Sequence, residues 1–195
     1  MPGAPRRSRP SNGWQLSPGT VITRLLIETR PGAGKTTAAR RVVSILQEWG
    51  VPVQGFTTEE IREGDRRAGF AVPAVGGPRA VFAHVNLAGP PRIGRYGVDL
   101  KAFERVALPA LGDPQADCVV VIDEVGKMEL ASAAFRGAVQ RLLDTGCPLV
   151  ATVHTVGGPF RRGSWHWLRK LLRRRRGVPI GAWSARQVST RSQEQ

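Results

Sequence analysis

The chain has 195 residues, of which 41% are hydrophobic, enough for one sizeable core, so a single domain is the first expectation. Its formal net charge of +14 is unevenly distributed, since residues 21–160 hold 16 Lys+Arg against 14 Asp+Glu, whereas residues 161–195 hold 10 Lys+Arg against Glu194 alone. This distribution argues against a nucleic-acid-binding surface on the middle of the chain.

The ends of the chain and its two cysteines bear on the cellular compartment. Residues 1–20 are basic, rich in proline and serine, and without the apolar segment of a secretory signal, so we interpret them as a disordered leader. No apolar run approaches the roughly 20 residues needed to cross a bilayer. Cys118 and Cys147 suit free thiols better than a disulfide. We therefore expect a cytoplasmic monomer.

The first predicted element is a strand at residues 21–29 that runs into the glycine-rich sequence RPGAGKTT. In such a turn, backbone N–H groups and the positive end of a helix dipole converge on one spot, where polyphosphate binds. Lys35 would reach the β- and γ-phosphates, and the Thr36 hydroxyl would hold Mg²⁺. The predicted phosphate-binding residues are Arg30, Pro31, Gly32, Ala33, Gly34, Lys35, Thr36 and Thr37. The usual motif GxxxxGK[ST] has glycine where this chain has Thr29, whose Cβ could obstruct the turn.

The rest of the middle region alternates between helical and extended patterns. Helices are predicted at residues 35–49, 100–111 and 129–144, the second capped by Asp99, and strands at residues 51–57, 118–122 and 148–154. Between residues 59 and 85, two short extended pieces joined by a glycine-proline turn indicate a β-hairpin. Alternating strands and helices predict a parallel sheet with helices on both faces and a ligand at the carboxyl ends of the strands.

A second half of the site follows the most concentrated apolar run, residues 118–122. Asp123 ends this strand and is placed to sit beside a Mg²⁺ ion bound to a triphosphate. Because side chains alternate along a strand, Glu124 need not compete for the metal and can act as general base toward an attacking water. Lys35 and Glu124 are thus the predicted catalytic residues, and Thr36 and Asp123 the predicted metal ligands.

Five motifs in the same order resemble those of a family of small P-loop nucleoside-triphosphatases of archaea, bacteria and animals. They are the phosphate loop, GFTTEEIR at 55–62, GF at 69–70, GRYGVD at 94–99 and IDEVGKMEL at 122–130. The resemblance implies Mg²⁺-dependent hydrolysis of ATP, GTP and other nucleoside triphosphates to diphosphate and phosphate, with loose base selectivity. It also implies a RecA-like three-layer α/β/α sandwich with a mostly parallel sheet and a small β-hairpin insertion at residues 59–85.

Further site residues follow from the resemblance by position. A second nucleotide-binding segment would consist of Val119, Val120, Val121, Ile122, Asp123, Glu124, Val125 and Gly126. Glu59, Glu60 and Arg62 match an acidic string that either touches substrate or forms a solvated turn. Arg92 and Arg95 are candidates for stabilising transition-state charge in the manner of an arginine finger.

The resemblance covers residues 25–154 and stops there. The family continues with a helix, a strand and an Asn-Arg-Asp-like segment that we do not find, and the P-loop NTPase domain is therefore expected at residues 21–160. Residues 163–176 instead predict a basic amphipathic helix suited to an acidic membrane surface, RNA or an acidic partner. Two explanations stay open: an adaptation, or a reading frame that slips near residue 160, which would remove the last strand of the sheet.

Three functions are therefore compared. The leading one is hydrolysis of nucleoside triphosphates. A small nucleotide or metabolite kinase on the same scaffold would differ by transferring the γ-phosphate to an acceptor. A binding module for RNA or membranes would act through residues 161–195 and keep only a vestigial nucleotide site, but the near-neutral middle of the chain argues against it.

Overall fold

The computed structural model describes residues 24–29, 32–115, 117–154 and 180–184. Along the chain these form β1 (Arg24–Thr29), α1 (Lys35–Glu48), β2 (Val53–Phe56), β3 (Glu59–Glu63), β4 (Arg66–Pro73), β5 (Arg79–His84), β6 (Arg92–Ile93), β7 (Tyr96–Val98), α2 (Leu100–Ala110), β8 (Val119–Val125), a short 3-10 helix (Glu129–Ala131), α3 (Ala133–Thr145), β9 (Leu149–His154) and β10 (Ile180–Ser184). The leader at residues 1–20 and the amphipathic helix at residues 163–176 fall outside the described residues.

The central sheet is parallel, with the strand order β10-β1-β9-β8-β2. The predicted α/β class is therefore confirmed. Strand β9 lies between β1, which precedes the phosphate loop, and β8, which carries the acidic pair. Because all five strands run in the same direction, their carboxyl ends meet at one edge of the sheet, where ligands bind in such folds.

Strand β10 completes the sheet on the outer side of β1. It pairs in parallel from Ile180 opposite Arg24 to Ser184 opposite Glu28. The sequence pattern did not reveal this strand, because five residues with two glycine or alanine positions and basic flanks give no clear apolar run. The last strand that a frame slip would remove is thus present, and it lies inside the segment predicted as a tail.

Helices cover the two faces of the central sheet, as the strand pattern requires. Side chains of β8 alternate between them: Val120 and Ile122 pack with α2 and α3, whereas Val121 packs with α1. Both faces of this strand are therefore buried, which explains its continuous apolar sequence. Helix α2 begins as predicted, with the Asp99 carboxylate accepting a hydrogen bond from the Ala102 N–H at 2.9 Å.

The insertion is larger than a hairpin. The predicted hairpin is present as β4 and β5, but it belongs to a five-stranded antiparallel sheet with the order β3-β4-β5-β7-β6. Strand β3 has a charged sequence, and its side chains form ion pairs with neighbouring strands, from Glu59 to Arg79 at 2.8 Å and from Glu60 to Arg67 at 2.7 Å. Because β3 is charged along most of its length, its sequence lacks the alternation of apolar residues that would predict a strand.

The helix predicted at residues 129–144 is interrupted. A short 3-10 helix occupies its first turn, and α3 begins only after Ser132, whose hydroxyl accepts a hydrogen bond from the Phe135 N–H. Serine is a preferred N-cap residue, so Ser132 is the local signal for this break. Within the described residues, no helix is long and apolar enough to cross a membrane.

Candidate active site

The phosphate loop leads into α1 as the sequence predicts. Gly34 is the N-cap of this helix and has a left-handed backbone with φ of 80°, which glycine adopts without steric cost. The first turn contains no acidic residue, so the positive end of the helix dipole is not compensated there. Lys35, Thr36 and Thr37 follow and line a cavity. Arg30 and Pro31 lie outside the described residues.

Thr29 is the last residue of β1 and stays in parallel register with His154. Among the described residues, no residue other than glycine has a positive φ. The backbone at position 29 is therefore extended, and its conformation does not require glycine.

Asp123 is completely buried at the end of β8 and is fixed by two threonines. Its Oδ1 atom accepts a hydrogen bond of 2.5 Å from the Thr152 hydroxyl on β9, and its Oδ2 atom accepts one of 3.2 Å from the Thr58 N–H. The Thr58 hydroxyl also donates to the Asp123 carbonyl oxygen. Because β9 lies between β1 and β8, Thr152 can reach this carboxylate, which is held in one orientation before any ligand binds.

Glu124 lies beside Lys35. The Lys35 Nζ atom is 3.6 Å from the Glu124 Oε2 atom, and the side chains are 7% and 26% exposed. Both residues line the cavity, whereas Asp123 does not. Asp123 is thus buried away from the cavity lining whereas Glu124 is part of it, and their assignment to metal and to water stays a prediction.

A cavity of about 560 Å³ joins the phosphate loop to the antiparallel sheet. Its walls come from the loop and α1, from the turn after β2, from the region following β8, and from β3, β4, β6 and β7. They comprise Gly32, Gly34, Lys35, Thr36, Thr37, Arg40, Thr58, Glu60, Arg67, Phe70, Ile93, Tyr96, Glu124, Lys127, Met128 and Glu129. Lys35 and Arg40 contribute cations from the loop and α1, and the second sheet contributes the Phe70 and Tyr96 rings, whose centroids are 5.3 Å apart.

Most residues of the predicted second nucleotide-binding segment, 119–126, are buried and do not line the cavity. Val120, Val121, Ile122 and Val125 are completely buried in the core. Within the described part of the chain, Glu124 is the member of residues 119–126 that lines the cavity. The valines and Ile122 thus position the two carboxylates through packing.

Of the three charged β3 residues singled out from the sequence, one lines the cavity and two do not. Glu60 lines the cavity, and its hydrogen bond with Arg67 lowers the pKa of its carboxyl group, so it is ionised there. Glu59 pairs with Arg79 on β5, and Arg62 pairs with Glu60 at 2.6 Å.

The two arginine-finger candidates lie elsewhere. The Arg92 guanidinium donates to the carbonyl oxygens of Leu87 and Arg95, and the Arg95 guanidinium donates to the carbonyl oxygen of Arg67 and lies over the Tyr96 ring. Neither arginine lines the cavity. Arg40 and Arg67 do.

The oxygen donors fit a Mg²⁺ ion that arrives with a nucleotide. In the described residues, no three His, Cys, Asp or Glu side chains are grouped so that they could hold a metal ion by themselves. Mg²⁺ is commonly held by one or two protein oxygens, substrate phosphates and water. Thr36 lines the cavity, where its hydroxyl would meet such an ion, whereas the buried Asp123 carboxylate would act on it through water.

Sequence reasoning missed several residues that the fold brings to the site. Thr152 had a signal, since it is a buried polar residue inside the apolar strand β9. Phe70 and Tyr96 lie in two of the motifs that carry the resemblance, but no role followed for them, and Arg67 had no signal, because all three reach the cavity only through the packing of the second sheet.

Comparison with known proteins decides the family. Residues 24–180 match the family model described as NTPase. The chain belongs to this NTPase family. The match extends beyond His154, where the sequence resemblance had stopped, and reaches the first residue of β10.

Two curated relatives support the same family assignment. The chain is 42% identical over 163 residues to the human cancer-related nucleoside-triphosphatase, covering 77% of this chain and 82% of the relative. It is 38% identical over 138 residues to the nucleoside-triphosphatase THEP1 of Thermotoga maritima, covering 70% of this chain and 77% of the relative.

Two solved structures share the fold. The crystal structure of THEP1 from Aquifex aeolicus matches with a TM-score of 0.66 at 31% identity, over 85% of this chain and 93% of that one. The solution structure of a human cancer-related nucleoside triphosphatase matches with a TM-score of 0.67 at 36% identity, over 84% of this chain and 90% of that one.

Proposed function

We propose that this NTPase-family chain hydrolyses nucleoside triphosphates to nucleoside diphosphates and phosphate, with Mg²⁺ as the metal and with loose base selectivity. The observation that carries the proposal is the Lys35–Glu124 pair, 3.6 Å apart in the lining of the cavity, next in sequence to a carboxylate fixed by Thr58 and Thr152. The names of the curated relatives support the same activity.

Phosphate binding is assigned to the loop and the start of α1. The N–H groups of the first helical turn and the ammonium group of Lys35 would neutralise the β- and γ-phosphates. Arg40 on α1 and Arg67 on β4 also line the cavity and add positive charge to it. Phosphoryl transfer needs little covalent help from a protein, so positioning and charge stabilisation carry most of the rate.

Glu124 is assigned as the general base that activates the attacking water. Its carboxylate would accept a proton from water as the water oxygen bonds to the γ-phosphorus and the bond from that phosphorus to the β–γ bridging oxygen breaks. Lys35 lies close enough to Glu124 to orient this carboxylate and the γ-phosphate together. Thr36 and Asp123 would hold Mg²⁺, which supplies positive charge to the phosphate oxygens when it is bound.

Phosphate release from a panel of nucleoside triphosphates tests the proposal, with Lys35→Ala and Glu124→Gln as variants. Lys35→Ala is expected to lower phosphate release on the order of 10²- to 10³-fold, because it removes the ammonium group that stabilises negative charge in the transition state. Glu124→Gln is expected to keep nucleotide binding and to lower kcat by about 10²- to 10⁴-fold, because the amide cannot accept the proton.

Two matched controls accompany these variants. Lys101→Ala removes an exposed lysine of α2, and Glu104→Gln neutralises a half-buried carboxylate of the same helix that does not line the cavity. Both controls should release phosphate like the unchanged chain. Full activity in Lys35→Ala or Glu124→Gln would contradict the assignment, and transfer of phosphate to an added acceptor in preference to water would favour a kinase.

A further inference from the structure

Glu129 is a buried carboxyl group to which the mechanism above gives no role. It begins the 3-10 helix that follows β8, is 4% exposed, and lines the cavity with Glu124. Burying a charged carboxylate is costly unless a cation pairs with it, and no ion pair of Glu129 exists among the described residues within 4.0 Å. Its place beside the catalytic pair therefore needs an explanation.

The carboxyl groups of Glu124 and Glu129 meet at Gly126. A Cβ atom added to Gly126 would lie 2.6 Å from the Glu129 Oε2 atom and 2.7 Å from the Glu124 Oε1 atom. The missing side chain of Gly126 thus leaves the space that both carboxyl groups occupy. The other oxygen of Glu124, Oε2, is the one directed at Lys35.

The surroundings of Glu129 favour its neutral form. Burial raises the pKa of the Glu129 carboxyl to about 8, and the negative charges of Glu124 and Asp123 act in the same direction. Hydrogen bonds from the backbone N–H groups of Glu129 and Gly126 oppose this shift without cancelling it. The other charged groups lining the cavity are Lys35, Arg40, Glu60, Arg67 and Lys127.

We propose that Glu129 is a positioning residue: its carboxyl group, buried beside Gly126, holds the Glu124 carboxylate against Gly126 and directed at Lys35. This inference rests on the proposed role of Glu124 as general base. A second charge at Glu129 would repel both Glu124 and the triphosphate, so hydrolysis loses efficiency as Glu129 ionises.

The same proton links Glu129 to stability. The folded chain keeps it between pH 4.5, the ordinary value for glutamate, and about pH 8, whereas the unfolded chain releases it. The stability contributed by this proton is therefore complete below pH 4.5 and is lost as the pH rises toward 8. Glu129→Gln should remove this pH dependence of stability. That result is also expected if Glu129 has a purely structural role, so only kinetic measurements can distinguish a positioning role from a structural one.

The deciding experiment measures kcat and kcat/KM for Mg²⁺-ATP from about pH 6 to about pH 10 in the full chain and its Glu129→Gln, Glu129→Ala and Gly126→Ala variants. Glutamine is neutral and has nearly the shape of glutamate, so it fills the same space at Gly126, and Glu129→Gln should keep kcat near neutrality and lose the alkaline decline centred near pH 8. Glu129→Ala and Gly126→Ala displace Glu124, so each should lower kcat on the order of 10²-fold. Glu104→Gln is the control and should keep the decline.

Three results would overturn the inference: a Glu129→Gln variant that keeps the decline, one that loses as much kcat as Glu129→Ala, or a Glu129→Ala variant with full kcat. If Glu129→Ala does not fold, the pH profile of Glu129→Gln and the kcat of Gly126→Ala still decide. Glu124→Gln, measured in parallel, separates the two proposals. Full activity there would remove the proposed role of Glu124 itself, whereas an inactive Glu124→Gln beside Glu129 variants with unchanged kinetics would remove only the role of Glu129.

Discussion

At the scale of single residues, the site depends on how one buried carboxylate is held. Asp123 has no exposed surface, and its oxygens accept hydrogen bonds from Thr152 and Thr58. A carboxylate fixed in this way pays no reorganisation cost when a metal-nucleotide complex binds. The two threonines are therefore as much a part of the proposed metal side as the carboxylate itself.

Thr152→Val tests this arrangement. Valine has nearly the shape of threonine but lacks the hydroxyl, so the Asp123 Oδ1 atom loses its 2.5 Å hydrogen bond and stays buried. We expect the free energy of unfolding to fall by about 1–3 kcal/mol and half-maximal phosphate release to require more Mg²⁺. Thr152→Ser keeps the hydroxyl and should resemble the unchanged chain in urea unfolding and in Mg²⁺ titration. Identical Mg²⁺ dependence in the valine and serine variants would show that Thr152 does not orient Asp123.

At the scale of elements, α2 connects the two sheets. Its Phe103 ring is completely buried, with centroids 5.2 Å from the Phe82 ring on β5, 5.7 Å from the Phe56 ring on β2 and 5.3 Å from the Phe135 ring on α3. Because β3, β4, β6 and β7 supply one wall of the cavity, a helix that packs on both sheets keeps that wall opposite the phosphate loop.

Phe103→Ala should lower the free energy of unfolding by about 3–5 kcal/mol, since it leaves a cavity among three aromatic rings. Phe103→Leu preserves most of the volume and should cost less than about 1.5 kcal/mol. Urea unfolding of the two variants gives both values. A loss in Phe103→Ala no larger than in Phe103→Leu would mean that the two sheets do not depend on this contact.

How far each element could be predicted depends on whether its signal is local. Strand β8 and helix α1 are evident from an apolar run and a glycine-rich turn, and the Asp99 cap fixes the start of α2. Strands β6 and β7 have two and three residues, too few to show alternation. The charged strand β3 is hydrogen-bonded along β4, and its Glu60 and Glu59 pair with arginines on β4 and β5, so its place in the sheet follows from partners distant in sequence.

The same distinction applies to the site. Lys35 and Glu124 lie in short motifs whose chemistry is visible in the sequence, so their proximity could be predicted from parallel strands ending at one edge. Thr58, Thr152 and the aromatic wall meet them through contacts distant in sequence, such as the one that joins Thr152 to Asp123 across 29 residues. No local pattern encodes such contacts, and the strand order that creates them is known only from the folded chain.

At the scale of the whole molecule, β10 changes how the basic end must be tested. Residues 161–195 carry 10 Lys+Arg against one acidic residue, but this segment also contains the strand that pairs with β1. Deleting all of it would remove part of the sheet together with the charge. Loss of RNA or membrane binding after that deletion would therefore not separate a basic binding segment from a damaged fold.

Two truncations isolate the contribution of β10, because both keep the basic residues 161–176 and they differ only in residues 180–184. A chain ending at residue 184 keeps the pairing of β10 with β1, so we expect its thermal unfolding and its phosphate release to match those of the full chain. A chain ending at residue 179 exposes the backbone edge of β1, the strand that leads into the phosphate loop, so we expect a lower Tm, aggregation and loss of hydrolysis. Light scattering during a thermal melt and a phosphate-release assay measure all three. If the shorter chain melts and hydrolyses like the longer one, β10 does not support the phosphate loop, and the site depends on β1, β9 and β8 alone.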